Sequence, residues 1–243
     1  MEDTLLQLAG IILLSFTVGT IAGFGNVIIA LTLGSHLYAI DELLPLLVIL
    51  STLLTSYIVI RYRSAVDWGA LTRRIVPPMI VGLGIGLIAF HATQSPQLRT
   101  LLGILVVALS GRELWSLRTI DAPDRTLSTP VQRGVLLSAG VLHGIFATGG
   151  PLLVYALGRA PMPKETFRAT LSCVWLVLNG LLLITYAATG RVDTEVIMRV
   201  IPLLPILLVA VALGEWGHRR IAQRPFKIVV FTVLLLAGAA LLV

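Results

Sequence analysis

The sequence carries little charge. Only 12% of its 243 residues are Asp, Glu, Lys or Arg, whereas 57% are hydrophobic, and the mean hydropathy is +0.96. Soluble domains contain about 25% charged residues. This composition therefore excludes an ordinary soluble domain and predicts an integral membrane protein, embedded in the lipid bilayer, with almost no soluble part.

The motifs of several enzyme classes are missing. A single cysteine, Cys173, excludes an internal disulfide. No Walker motif, no H-E-x-x-H, no Cys/His cluster and no G-x-S-x-G is present, so we expect no cofactor, no metal site and no enzyme activity. An intramembrane hydrolase that pairs His143 with Ser51 or Ser172 is left open, although nothing in the spacing supports this pairing.

The excess of positive charge does not indicate a nucleic-acid partner. There are 18 Lys and Arg residues against 12 Asp and Glu. The basic residues lie in short loops between apolar segments and form no patch with interleaved aromatic residues. Because cytoplasmic loops of membrane proteins carry an excess of Lys and Arg, these residues are interpreted as topology signals.

The chain divides into two halves of similar layout. A polar linker, 119–131, separates an N-terminal transmembrane repeat, 1–118, from a C-terminal repeat, 132–243. Each half begins with a long apolar segment that glycines interrupt, and three further apolar segments follow. The eight predicted segments are 4–34, 43–60, 75–90, 100–117, 132–158, 169–189, 200–215 and 226–243.

The two glycine breaks correspond to each other. When the stretch 19–34 is aligned with 143–158, Gly25 falls on Gly149 and Asn26 on Gly150. Lipid cannot satisfy the backbone groups that such a break frees, so breaks persist only inside protein or beside a water-filled cavity. Matching breaks in two halves indicate the binding site of a transporter. The alternative is that these glycines only let helices pack closely.

The positive-inside rule favours a hairpin at each break. If both broken segments turn back, all 18 basic residues except Arg99, Arg191 and Arg199 lie on the cytoplasmic side. If every segment crosses once, the bias is poor. The hairpin arrangement puts loop 61–74 inside and its partner 190–199 outside, so the halves have opposite orientations. We therefore predict an all-α polytopic membrane protein with two inverted repeats, each with a glycine-broken helical hairpin.

Two half-helices that begin at mid-membrane would suit a compact anion. A helix start presents free N–H groups and partial positive charge, and glycine allows close approach to the backbone. Asn26 or Thr148 can cap these starts, and Pro151 fits the first helical turn. The predicted substrate-binding residues are Gly23, Gly25, Asn26, Ser51, His143, Thr148, Gly149, Gly150, Pro151, Ser172 and Asn179. For Asn26, His143, Asn179 and the serines, the alternative is helix packing without a ligand.

These residues resemble the TauE/SafE family of sulfite and organosulfonate exporter-like permeases. The resemblance rests on 19–34, on Ala147-Thr-Gly-Gly-Pro-Leu-Leu-Val-Tyr155 and on Phe167-Arg-Ala-Thr170, and it covers essentially the whole chain. The first half departs from the family, since Gly25-Asn26-Val27 stands where a run of glycines is usual. The resemblance implies a bacterial inner-membrane transporter for a small anion, often a sulfur oxyanion or organosulfonate.

The expected function is secondary transport of such an anion. The five carboxylates nearest to the spans all lie towards segment ends, namely Asp41, Glu42, Glu113, Glu195 and Glu215. Since no carboxylate relay is visible, an uncoupled channel-like anion facilitator is the alternative. The coupling ion, a proton or sodium, and a homodimer are left open.

Overall fold

A computed structural model describes residues 2–92, 95–116, 127–157, 162–220 and 223–242. Most of the predicted linker, residues 119–126, lies outside these ranges, as do Gly158 and the basic residues Arg118, Arg125 and Arg159. The described residues form helices and connecting turns, with no strand among them. The all-helical prediction is therefore confirmed.

Twelve α-helices follow one another along the described parts of the chain. They are α1 (Glu2–Ala22), α2 (Asn26–Gly34), α3 (Ile40–Tyr62), α4 (Trp68–Ala70), α5 (Val76–His91), α6 (Ser95–Ser116), α7 (Thr129–Phe146), α8 (Gly150–Leu157), α9 (Lys164–Ala188), α10 (Thr194–Val200), α11 (Leu204–Arg220) and α12 (Gln223–Ala240). A π-helical turn, Leu71–Ile75, joins α4 to α5, and a 3-10 turn, Ile201–Leu203, joins α10 to α11.

Five helical stretches of the described chain are long and apolar enough to cross a membrane. They are Thr4–Ala22, Ile40–Ala65, Trp68–His91, Glu165–Ala188 and Thr194–Arg220, and Ile228–Ala240 is a shorter apolar helix. A multi-pass membrane protein is therefore confirmed. The count of eight apolar segments stays a prediction.

The second long helices of the two halves run antiparallel to each other. Near the end of α3 and the start of α9, the Arg168 guanidinium lies 4.7 Å from the centre of the Tyr62 ring. At the opposite end of α3, Arg191, which follows α9, donates to the carbonyl of Asp41 at 2.9 Å. Equivalent helices that run in opposite directions are the signature of an inverted repeat, so the predicted arrangement is present.

The other long helices are paired according to the same two-fold symmetry. α6 packs antiparallel on α12, because Gly103 contacts Leu241 while Gly238 contacts Val106. The helix of the third apolar segment in each half packs on the first helix of the other half. Thus α5 packs on α7, and α11 packs on α1. The pairing is thus exchanged between the halves, as a two-fold relation requires.

Each glycine-broken segment folds back as a hairpin. In the second hairpin, Gln132 near the start of α7 donates to the carbonyl of Ala156 near the end of α8, at 3.2 Å. In the first, the start of α2 packs against the end of α1, since a Cβ added at Gly19 would lie 2.6 Å from Cβ of Asn26. The structure therefore has the turned-back form of both segments.

Glycines set the contact between α5 and α7. A Cβ added at Gly82 or Gly86 would lie 2.1 or 2.2 Å from a carbonyl oxygen of α7, and one at Gly140 would lie 2.2 Å from the Met79 carbonyl. Both helices carry a G-x-x-x-G pair here, Gly82 with Gly86 and Gly140 with Gly144. Such small-residue faces let helix backbones touch in a membrane. The role of these glycines is therefore to let α5 and α7 pack closely.

The two ends of α3 mark the two faces of the helix bundle. Its C-terminal end lies with the start of α9 and the end of α11, where Glu215 accepts from Tyr62. Its N-terminal end carries Glu42, which pairs with Arg199 at 3.6 Å. Loop 61–74 and loop 190–199 therefore lie at opposite faces, as the hairpin topology predicts. We call the face with the end of α3 the α3-end face.

In each half, the helical structure of the third apolar segment begins earlier than the sequence predicts. The sequence places these starts at 75 and 200, but helical structure already begins at Trp68 and Thr194. An aspartate caps each start: Asp67 accepts from Ala70 N–H at 2.9 Å, and Asp193 accepts from Val196 N–H at 2.8 Å. These caps stabilise a polar first turn that the apolar pattern alone does not reveal.

Candidate functional site

The tips of the two hairpins enclose a small cavity between α3 and α9. Its volume is about 20 Å³, room for about one water molecule. None of the described residues that line it is acidic. They are Phe24, Gly25, Asn26, Val27, Ser51, His143, Ala147, Thr148, Gly149, Gly150, Trp175 and Asn179.

A hydrogen-bonded chain of buried side chains crosses the cavity wall. The amides of Asn26 and Asn179 both donate to Ser51 Oγ, at 3.0 and 3.1 Å. These two donors occupy both lone pairs of the hydroxyl oxygen, so the Ser51 O–H is the group left to donate. Asn26 comes from the first hairpin, Ser51 from α3 and Asn179 from α9, so the chain joins both repeats.

His143 extends this chain from the second hairpin. Its Nε2 lies 3.1 Å from Asn179 Oδ1, which can only accept, so Nε2 carries the proton. Its ring stacks on Trp175 with the centroids 5.3 Å apart. The other nitrogen, Nδ1, is buried and has no hydrogen-bond partner in the described chain. His143 is therefore held by a packed ring and an amide, with one nitrogen unused.

Both half-helices begin at the cavity. The first backbone bond of α2 runs from Ile29 N–H to the Gly25 carbonyl, and that of α8 from Leu153 N–H to the Gly149 carbonyl, each at 3.0 Å. The N–H groups before these bonds have no partner within their helices. Partial positive charge from two helix starts thus converges on one cavity.

The cap of α2 differs from the prediction. Gly25, in a left-handed conformation with φ 96°, is the N-cap, and no side chain caps this end. Asn26 is instead the first residue of the helix and uses its amide to donate to Ser51. Only the backbone of Gly25 can take this turn without strain, which frees the Asn26 side chain for the cavity.

The structure brings most of the predicted site residues together. Those in the cavity wall are Gly25, Asn26, Ser51, His143, Thr148, Gly149, Gly150 and Asn179. Gly23 lies just outside it and accepts from Trp175 Nε1 at 3.0 Å through its carbonyl. Pro151 and Ser172 are buried outside the wall, and Ser172 Oγ has no partner among the described residues.

Sequence reasoning missed two groups. Trp175 and Phe24 line the cavity, but an aromatic residue in an apolar segment gives no signal by itself. Arg168 is buried and pairs with Glu215, whereas the sequence indicates a topology signal at Arg168 and a segment end at Glu215. Both residues lie about one turn inside their observed helices, α9 and α11, whereas the predicted spans begin at 169 and end at 215 and so place both at an edge.

Comparisons with known proteins agree with this architecture. Residues 8–241 match the family Sulfite exporter TauE/SafE. The chain belongs to this family. It is therefore a membrane transporter and not an enzyme, and the resemblance inferred from the residues is confirmed.

Two curated relatives are similar to the chain over most of its length. A probable sulfite/organosulfonate exporter TauE from Cupriavidus necator is 26% identical over 181 residues, which is 73% of this chain and 69% of that protein. A probable inner membrane transporter protein TsaS from Comamonas testosteroni is 27% identical over 177 residues, or 72% of each. No solved structure gives a significant match.

Proposed function

We propose that this chain is a secondary transporter of a small sulfur anion, either a sulfur oxyanion such as sulfite or an organosulfonate. One observation carries the proposal: two half-helices begin at one cavity whose described lining contains no acidic residue. The name of the TauE relative and the description of the family support the same substrate class.

The donors around the cavity fit an oxyanion better than a cation. Backbone N–H groups at the helix starts, the Ser51 hydroxyl and the second N–H of each asparagine amide can all donate. A compact sulfur anion carries several acceptor oxygens and would use donors from both hairpins. Glycines at both tips let such an ion approach the backbone closely.

His143 is the group through which a proton could couple to transport. Its unused Nδ1 is the one titratable acceptor among the described residues that line the cavity. Protonation there would place a cation beside the anion. An uncoupled channel-like facilitator would need no such group.

The first test is anion binding to the purified protein in detergent. Because a ligand of the folded state raises its apparent stability, thermal shifts are measured with sulfite, thiosulfate, sulfate, sulfoacetate, taurine and chloride. We expect stabilisation by one sulfur anion that Asn26→Leu abolishes. The matched control is Thr32→Val, which also removes a buried polar group from α2, one that bonds only to the Ile28 carbonyl.

Two results would contradict the proposal. One is the absence of a shift with every anion in the wild type. The other is an equal loss of binding in Thr32→Val, which would make the effect of Asn26→Leu a general effect on α2. Flux into proteoliposomes then separates the mechanisms: uphill accumulation that an ionophore collapses indicates a carrier, and purely downhill flux indicates a channel.

A further inference from the structure

A buried charge cluster lies beside the tip of the first hairpin. The Arg168 side chain is 3% exposed, and its Nη2 donates to Glu215 Oε1. Tyr62 O–H donates to the other oxygen, Oε2, at 2.7 Å. The guanidinium also covers the Tyr62 ring. One carboxylate is thus held from two sides by a cation and a phenol.

The cluster is one residue layer away from the cavity. A Cβ added at Gly23 would lie 3.1 Å from Cγ of Arg168, so this glycine touches the arginine stem. The Gly23 carbonyl accepts from Trp175, and both Trp175 and the next residue, Phe24, line the cavity. The cluster therefore lies between the cavity and the α3-end face.

Arg168 has one hydrogen-bond donor that is not used. Its Nη1 is buried and has no hydrogen-bond partner in the described parts of the chain. A guanidinium stays charged at every physiological pH, and a buried donor without an acceptor is unfavourable. The site can therefore accept a further anionic oxygen, or a ligand with more oxygens than a carboxylate.

The donor set matches the chemistry of the proposed substrate. A guanidinium fork and a phenol O–H are suited to planar or tetrahedral oxyanions. A sulfite or sulfonate group offers three oxygens, which would satisfy Nη1, Nη2 and Tyr62 O–H together. Glu215 offers two and leaves Nη1 unused.

We propose that Arg168 forms a second anion site on the path between the cavity and the α3-end face, and that Glu215 occupies this site as an internal substitute for the substrate when the path is closed. This inference rests on the proposed function. An arriving anion displaces the Glu215 carboxylate, and the carboxylate returns when the anion moves on to the cavity. The charge beside Arg168 is balanced in both states.

Thiol modification tests the site without relying on sulfite binding. The background is Cys173→Ala, which removes the single cysteine, and Thr148→Cys places a reporter in the cavity wall. The probes are the anionic 2-sulfonatoethyl methanethiosulfonate and its cationic trimethylammonium counterpart. The sulfonate reagent also has the chemistry of the proposed ligand.

We expect Glu215→Gln to accelerate modification by the sulfonate reagent about fivefold or more, the lower end of typical coupling between sites. The cationic reagent gains less, because Arg168 is then uncompensated. Glu113→Gln is the matched control, since Glu113 also pairs with an arginine, Arg112, at 3.3 Å but away from the cavity. Its rates should equal those of the background.

Equal sulfonate rates with and without Glu215→Gln would overturn the second site, as would equal acceleration of both reagents. If Glu215→Gln does not fold, Glu215→Asp shortens the carboxylate reach while keeping the charge, and the same acceleration is expected. Sulfite titration keeps the two proposals distinguishable. A wild type that binds no sulfite contradicts the proposed function, whereas binding that Asn26→Leu abolishes and Glu215→Gln leaves unchanged contradicts only the second site.

Discussion

The first helices of the two hairpins end in the same way, but the side chains around the two breaks differ. The first helix of each ends with the same bond, Gly23 N–H to the Gly19 carbonyl and Ala147 N–H to the His143 carbonyl, both at 2.8 Å. The residue after each end is left-handed, with φ 81° at Gly23 and 51° at Ala147. The internal repeat is therefore preserved as a turn.

The polar side chains are distributed in opposite ways. The first hairpin has glycine before the break, Gly19, and a polar residue after it, Asn26; the second has His143 before and Gly150 after. A Cβ at Gly19 would lie 2.6 Å from Asn26 Cβ, so one tip cannot hold both side chains. At this pair of positions each hairpin thus contributes one polar side chain, and the cavity becomes asymmetric although its scaffold is symmetric.

Equivalent glycines are also required for different reasons. Gly25 is left-handed at φ 96°, yet a Cβ there would come no closer than 3.9 Å to another group. Its counterpart Gly149 has no positive φ, but a Cβ would lie 2.3 Å from the Ala139 carbonyl oxygen. The first tip needs the conformational freedom of glycine, and the second needs its small size.

The largest expected effect is that of Gly149→Ala. Its methyl group would meet a backbone oxygen, so the second hairpin must open, at a cost of about 3 kcal/mol or more. Thermal or denaturant unfolding in detergent measures this loss. Gly180→Ala in α9 is the control, because no other group lies within 4 Å of its added Cβ. Equal stability of the two variants would contradict the size argument.

The next largest effect is expected for Ser51→Ala, which removes the hydroxyl that links Asn26 of the first repeat to Asn179 of the second. Two buried amides, Asn26 and Asn179, lose their acceptor, so we expect a loss of about 2 kcal/mol of unfolding free energy. Ser172→Ala is the matched control: this serine is also buried, but its hydroxyl has no partner among the described residues. A neutral or slightly stabilising effect is expected there. Similar losses in both variants would show that the hydrogen bonds to Ser51 add nothing to the free energy of unfolding.

A smaller effect is expected at Gly25. Alanine fits the space but not the left-handed backbone, which costs about 1–2 kcal/mol. Asparagine tolerates this conformation better, so Gly25→Asn should lose less stability than Gly25→Ala. Unfolding of both variants under one condition checks the order. The reverse order would mean that space, not conformation, selects glycine at this tip.

Much of this architecture is predictable because membrane physics constrains it. The glycine breaks and the distribution of Lys and Arg predict two inverted hairpins, since lipid leaves no other place for a freed backbone. The same reasoning selects Asn26, His143 and Asn179, which the structure brings together. Their role in binding stays a prediction.

The rest depends on packing that a single sequence does not encode in a visible pattern. Ser51 and Ser172 look alike in the sequence, but the crossing point of α3 and α9 puts only Ser51 in the cavity wall. Arg168 resembles a topology signal until α11 places Glu215 beside it. The polar first turns after Asp67 and Asp193 are missed because hydropathy, not capping, defines the predicted segment starts.

The smallest effect is expected for Ala147→Gly, and it tests most sensitively how the tips of the two hairpins differ. Replacing it with glycine relieves a left-handed conformation worth about 1–2 kcal/mol. It also loses a buried methyl group worth about 0.8 kcal/mol and adds chain entropy worth about 0.5–1 kcal/mol. These terms nearly cancel, so Ala147→Gly should change the free energy of unfolding by no more than about 0.8 kcal/mol. At the equivalent position, Gly23→Ala adds both strain and a 3.1 Å contact with Arg168, and should lose about 2 kcal/mol. Unfolding of the two variants in the same detergent compares the tips directly. A loss at Ala147→Gly as large as that at Gly23→Ala would mean that packing of the methyl group, and not the shared turn, defines the second tip.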